Sequence, residues 1–108
     1  MLNQIVIVGR LVEAPEIKET ETGKKVCKVT ISVPRSYKNL DGEYENDIID
    51  CIVWNGIAEN TVEYRKKGDL LGIKGRIQSE EIEFGGKIYR KSEVVAEKIT
   101  FLSNGKGE

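Results

Sequence analysis

The sequence predicts an all-β protein, a five-stranded Greek-key barrel with one short helix between strands 3 and 4. Three observations carry this. Apolar and polar residues alternate at a period of two, as Cys27, Val29, Ile31 and Val33 do against Lys28, Thr30 and Ser32. Only the stretch from Ile57 to Lys67 switches to helical spacing. Turn signals separate the segments at Thr22-Gly23-Lys24, Asp41-Gly42 and Gly85-Gly86.

The first strand runs from Asn3 to Val12, and its run Ile5-Val6-Ile7-Val8 fits a strand covered on both faces, with Gly9 allowing a bend or bulge. An acidic loop from Glu13 to Lys25 follows, containing Pro15. The second strand spans Val26 to Val33, and Pro34 is expected to end it. Arg35 to Asn46 reads as a loop. In the third strand, Asp47 to Asn55, Ile49, Cys51 and Val53 share the inner face. Ile48, Asp50, Ile52 and Trp54 share the other, and Asp50 marks that face as the outer one.

Ile57, Ala58, Thr61, Val62 and Arg65 form a helical stripe, and Lys66-Lys67-Gly68 resembles a basic last turn with a glycine stop. The last two strands, Asp69 to Phe84 and Lys87 to Leu102, are joined through Gly85-Gly86. Leu71, Ile73 and Ile77 are expected on the core face of the fourth, with Lys74, Arg76 and Gln78 opposite. If the pleat continues, Ile82 and Phe84 join Lys74 and Arg76. The β-β-β-α-β-β order is that of the OB-fold, although composition alone leaves other small barrels open.

A chain of 108 residues makes one domain, with 39% hydrophobic and 32% charged residues arguing against disorder. The expected division is a barrel over 1–102 and a mobile polar tail over 103–108. The start lacks a signal-peptide pattern and no apolar run spans a bilayer, so a cytoplasmic protein without membrane contact is expected. With no histidine and two distant cysteines, neither a metal site nor a cofactor is expected. The cysteines read as reduced, buried thiols. No nucleophile elbow or phosphate loop occurs, so the expectation is a non-enzymatic protein.

The fragments Met1-Leu2-Asn3, Val8-Gly9-Arg10-Leu11, Val53-Trp54, Ala58-Glu59-Asn60, Lys66-Lys67-Gly68, Gly75-Arg76-Ile77-Gln78 and Glu93-Val94-Val95-Ala96 fall in register with one pattern. In their order and spacing the chain resembles the bacterial single-stranded DNA-binding (SSB) proteins over about residues 1 to 102. The resemblance implies an OB-fold, sequence-independent binding of single-stranded DNA in replication, recombination or repair, no catalysis, and a homotetramer (with a dimer as the smaller option). A flexible strand offers base faces for stacking and phosphates for cations.

Trp54 and Tyr37 match stacking positions of that family, and Arg10 and Arg35 match its basic positions. Lys38, Lys74 and Arg76 add cations, Phe84 an aromatic near a hairpin tip, and Tyr89 with Arg90 and Lys91 extends the track. Further cations stand at Lys28, Lys66, Lys67 and Lys87; Lys66 and Lys67 serve a helix dipole as readily as DNA.

The chain also departs from the pattern. Ile48 and Ile82 stand where aromatics are common, Gln4, Asn55 and Gly56 replace residues that are often basic, and Glu80, Glu81 and Glu83 bring negative charge to a hairpin. The resemblance implies an acidic C-terminal tip that recruits replication or repair proteins, whereas the given sequence stops at Ser103-Asn104-Gly105-Lys106-Gly107-Glu108. The lost aromatics and the glutamates favour an alternative, an interaction module of a primosome-type assembly with weak DNA binding, which Trp54, Tyr37 and the retained cations oppose. The apolar run Leu2 to Val8 suggests that the first strand pairs with its copy in another subunit.

Overall fold

The computed structural model describes residues 1–105, so the last three residues of the expected polar tail lie outside it. Six strands and one helix occur among them: β1 (Ile5–Leu11), β2 (Glu16–Glu19), β3 (Lys25–Lys38), β4 (Tyr44–Trp54), α1 (Asn55–Tyr64), β5 (Leu70–Phe84) and β6 (Lys87–Ser103). The sheet order is β1-β5-β6-β4-β3-β2, and β1 also pairs with β3. That last pairing closes five strands into a barrel, while β2 adds to the free side of β3 as a short edge. The predicted fold class holds, with one strand more than expected.

Closure happens at the end of β1, where the strand leaves β5 and meets β3 through Arg10 opposite Ser32 and Leu11 opposite Ile31. Gly9 sits at this switch. A Cβ there would lie 2.6 Å from the Ser32 carbonyl oxygen, so only glycine lets the two backbones approach. Inside, Leu11, Cys27, Val29, Ile31, Cys51, Val53, Leu71, Ile73 and Ala96 are buried. They are the period-two residues of the inner faces. Each fully buried Leu, Ile or Val contributes roughly 1.5–3 kcal/mol.

Helix α1 packs its Ala58 and Thr61 into this core, and the Thr61 hydroxyl donates to the Ile57 carbonyl at 2.7 Å. The helix ends at Tyr64, one turn before the expected stop at Lys67. The buried Asp69 carboxylate accepts from the Lys66 amide at 2.8 Å, and Gly68, at φ 93°, donates its amide to the Leu11 carbonyl. Residues 66–69 are thus a turn tied to β1, and Lys66 and Lys67 lie past the end of α1, outside its last turn.

Other expectations are corrected. Pro34 does not end its strand: β3 runs on to Lys38, and most of the expected loop 35–46 is an extension of the β3–β4 hairpin. Its turn, from Asn39 to Glu43, has Gly42 at φ 80°. The acidic loop contains β2, an exposed strand paired only with β3. Only one face of β1 is covered, since Val6 is 68% exposed. Ile77, expected in the core, is 43% exposed because β5 has passed the barrel rim there.

Cys27 and Cys51 are both buried and unbridged. Burial pushes the Cys51 thiol up to about 11 and raises that of Cys27 as well. At neutral pH both stay protonated, so neither serves as a nucleophile.

Candidate nucleic-acid interface

Trp54 ends β4 opposite Val26 of β3 and remains 37% exposed on the outer face. The chain turns into α1 immediately after it through Asn55, which takes a left-handed conformation at φ 51°. Asparagine tolerates that region better than most residues. Its side-chain oxygen also accepts from the Lys25 amide at 3.3 Å, so the strand-to-helix corner that carries Trp54 is tied to β3. The outward face read from Asp50 is therefore the one observed. Asp50 itself accepts a 2.7 Å hydrogen bond from Thr30 across the strands.

From this face two hairpins project beyond the barrel. On the β3–β4 hairpin Tyr37 is 63% exposed, and the Lys38 ammonium stands 5.7 Å from the centre of the Tyr44 ring. On the β5–β6 hairpin Phe84 is 76% exposed, and Tyr89 is the direct partner of Ile82. The expected parity holds along β5, because both irregularities of this pair insert their extra residue in β6, at Leu102 and Glu97. Phe84 and Ile82 accordingly share the face of Lys74 and Arg76.

Between the hairpins, β4 and β6 pair only at Cys51 with Val94 and Ile52 with Val95. Beyond that short parallel contact they diverge. A depression of about 410 Å³ opens there, lined by Ile48, Asp50, Ile52, Ile77, Lys91 and Glu93, with Lys28 at its side. A second depression of about 390 Å³ opens beside β2, lined by Glu13, Glu16, Lys18, Val26 and Thr30. The two depressions lie side by side on the outer face and share Lys28 and Ile52.

The cations divide into engaged and available ones. Arg35 donates to Asp47 at 3.0 and 2.8 Å and to Glu45 at 2.8 Å, which holds the Asp47 carboxyl below its usual range. Arg76 donates to Gln78 at 3.0 Å and faces Glu97 at 3.6 Å; Arg90 pairs with Glu81 at 2.9 Å. Lys91 lies opposite Glu80. Lys74 is exposed opposite Val6, on a part of the barrel wall two strands away from β4. Arg10 reaches the Gly68 carbonyl at 3.1 Å near the β1–β3 seam. The structure thus places Lys28 in both depressions and Lys91 in the first, sets Trp54 and the hairpin aromatics on the surface without lining either, and leaves Arg10 and Lys74 outside them.

Tyr44 was not among the candidates read from sequence. Its signal was available: with the strand begun three residues earlier, Tyr44 continues the period-two series of Trp54, Ile52, Asp50 and Ile48.

A closed barrel of this topology, with two long hairpins that carry exposed aromatic rings, is an OB-fold. The chain belongs to the single-strand binding protein family, whose model matches residues 2–102. It is 43% identical over 111 residues to single-stranded DNA-binding protein 3 of Listeria innocua, covering 99% of this chain and 69% of that one. Against single-stranded DNA-binding protein B of Bacillus subtilis it is 44% identical over 104 residues, covering 94% and 91%.

Two solved structures share the fold at a TM-score of 0.79. One is a deletion mutant of the Thermus aquaticus single-stranded DNA-binding protein, at 22% identity over 94% of this chain and 51% of that one. The other is the Plasmodium falciparum SSB in complex with single-stranded DNA, at 20% identity over 95% and 96%.

Proposed function

We propose that the protein binds single-stranded DNA without regard to sequence and without catalysis, acting in DNA replication, recombination or repair. The observation that carries this is the set of exposed rings on an OB-fold barrel: Trp54 at the outer end of β4, and Tyr37, Tyr44, Phe84 and Tyr89 on the two projecting hairpins. Stacked bases contribute roughly 1–3 kcal/mol each and require no particular base. The magnitude is borrowed from single-strand-binding OB-folds as a class. Relatives at 43% and 44% identity are single-stranded DNA-binding proteins, which supports the same reading. Among the described residues no cluster of metal-binding side chains occurs, and no helix is long and apolar enough to cross a membrane.

The compensated cations favour a second reading, the primosome-type interaction module. Titrating the Trp54 fluorescence with oligo-dT separates the two. Quenching is expected. With Lys28, Lys38, Lys87 and Lys91 outside any ion pair among the described residues, log K should fall with log salt at a slope of only about −3 per subunit. An unchanged signal favours the interaction module.

The uncovered apolar face of β1, where Val6 and Val8 stand exposed, supports self-association through that strand, into a homotetramer or a dimer. Sedimentation at micromolar concentration is expected to give the mass of an oligomer; a monomer contradicts this.

A further inference from the structure

On the reading that the β3–β4 hairpin presents Tyr37 and Tyr44 to single-stranded DNA, we propose that Arg35 is a positioning residue for that hairpin and not a phosphate contact. Between the pairs Pro34–Asn46 and Lys38–Tyr44, β3 carries residues 35–37 and β4 carries only Glu45. The ladder is interrupted there, at the base of the projecting tip. Backbone pairing alone leaves this joint free to bend.

Arg35 spans the gap with all three guanidinium nitrogens. Nε and Nη2 donate to Asp47 on the barrel side of the interruption, and Nη1 donates to Glu45 within it. The chain continues outward: Asn39 Nδ2 donates to Glu45 Oε2 at 3.5 Å. Asn39 Oδ1 in turn accepts from the Asp41 and Glu43 amides at 2.9 and 3.0 Å, forming the turn itself. A single polar strut thus runs from Asp47 at the rim through Arg35, Glu45 and Asn39 to the tip. Two carboxylates already neutralise the guanidinium, so a phosphate approaching it also meets Asp47 and Glu45. A planar fork suits this joint in a way that a lysine ammonium does not.

The test compares the full chain with Arg35→Ala, Arg35→Lys and Asp47→Asn. Each is titrated with oligo-dT at two salt concentrations, and amide hydrogen exchange is followed without DNA. A strut predicts that all three variants weaken binding about threefold to fivefold. The salt slope should stay that of the parent, and residues 36–45 should exchange faster while the Val29 and Cys51 amides stay protected. Tighter binding by Asp47→Asn overturns the proposal, because removing the carboxylate would then have released a phosphate-binding arginine. So does a slope for Arg35→Ala shallower by about 0.7, the mark of one lost phosphate contact, or unchanged exchange in residues 36–45. A parent chain that ignores oligo-dT removes the functional reading instead, and the exchange data then still decide whether the strut exists.

Discussion

Trp54→Ala is expected to weaken binding of oligo-dT by about 5-fold to 150-fold, the equivalent of roughly 1–3 kcal/mol for one stacked base. The fold should survive. Trp54 lies at the outer end of β4, donates no side-chain cap to α1, and is not part of the cluster that fills the barrel. Trp54→Phe should retain most of the affinity, because the ring face is kept. Affinity measured by anisotropy of a labelled oligonucleotide gives the answer without relying on the tryptophan signal. Affinity equal to the parent's for Trp54→Ala removes this residue from the interface.

The largest expected effect on stability lies elsewhere, at Gly75. It faces the interior of β5, just where β6 makes its extra-residue bulge at Glu97, and the two backbones come close. A Cβ at Gly75 would stand only 2.0 Å from the Val95 carbonyl oxygen. Neither atom belongs to a flexible side chain, so Gly75→Ala must push the strands apart at the bulge. A loss of about 3 kcal/mol or more is expected. Gly72→Ala is the control: its added methyl would meet Leu102 Cδ1 at an ordinary 3.7 Å, and alanine suits a strand at least as well as glycine. Urea denaturation of both variants checks this. Equal midpoints would show that the close approach is not a constraint.

The barrel was legible because burial on one side imposes a period of two, and that period survives in Cys27, Val29, Ile31 and in Cys51, Val53. What the sequence concealed follows a common physical thread. β2 buries nothing, so Glu16–Glu19 shows no pattern to read. Pro34 reads as a stop because it lacks an amide donor, yet it sits beside the interrupted ladder, where a missing donor costs little. Lys66-Lys67-Gly68 imitates a helix end, but the end is set by Asp69 and by Leu11, which lies far away in the chain. Ile77 keeps the parity of the core while the barrel beneath it has run out.

The interface was legible to a similar degree. Trp54, Tyr37 and Phe84 could be placed outside from alternation and polar surroundings, and all three are exposed. The cations could only be counted. Whether an arginine is available to a phosphate depends on the carboxylates that pairing brings opposite it. Arg35 acquires Asp47 and Glu45 from the neighbouring strand, and Arg90 acquires Glu81. On the two hairpins Arg35 and Arg90 are thus engaged by carboxylates, while the rings of Tyr37, Tyr44, Phe84 and Tyr89 stand exposed.

Where the polynucleotide lies on the barrel is the point on which all of this turns. Ultraviolet cross-linking of oligo-dT followed by peptide mapping reads that position directly. Adducts at Trp54, Tyr37 or Tyr44, and at Phe84 or Tyr89, are the predicted result. Adducts confined to the wall around Val6 and Lys74, with those rings unmarked, would contradict it.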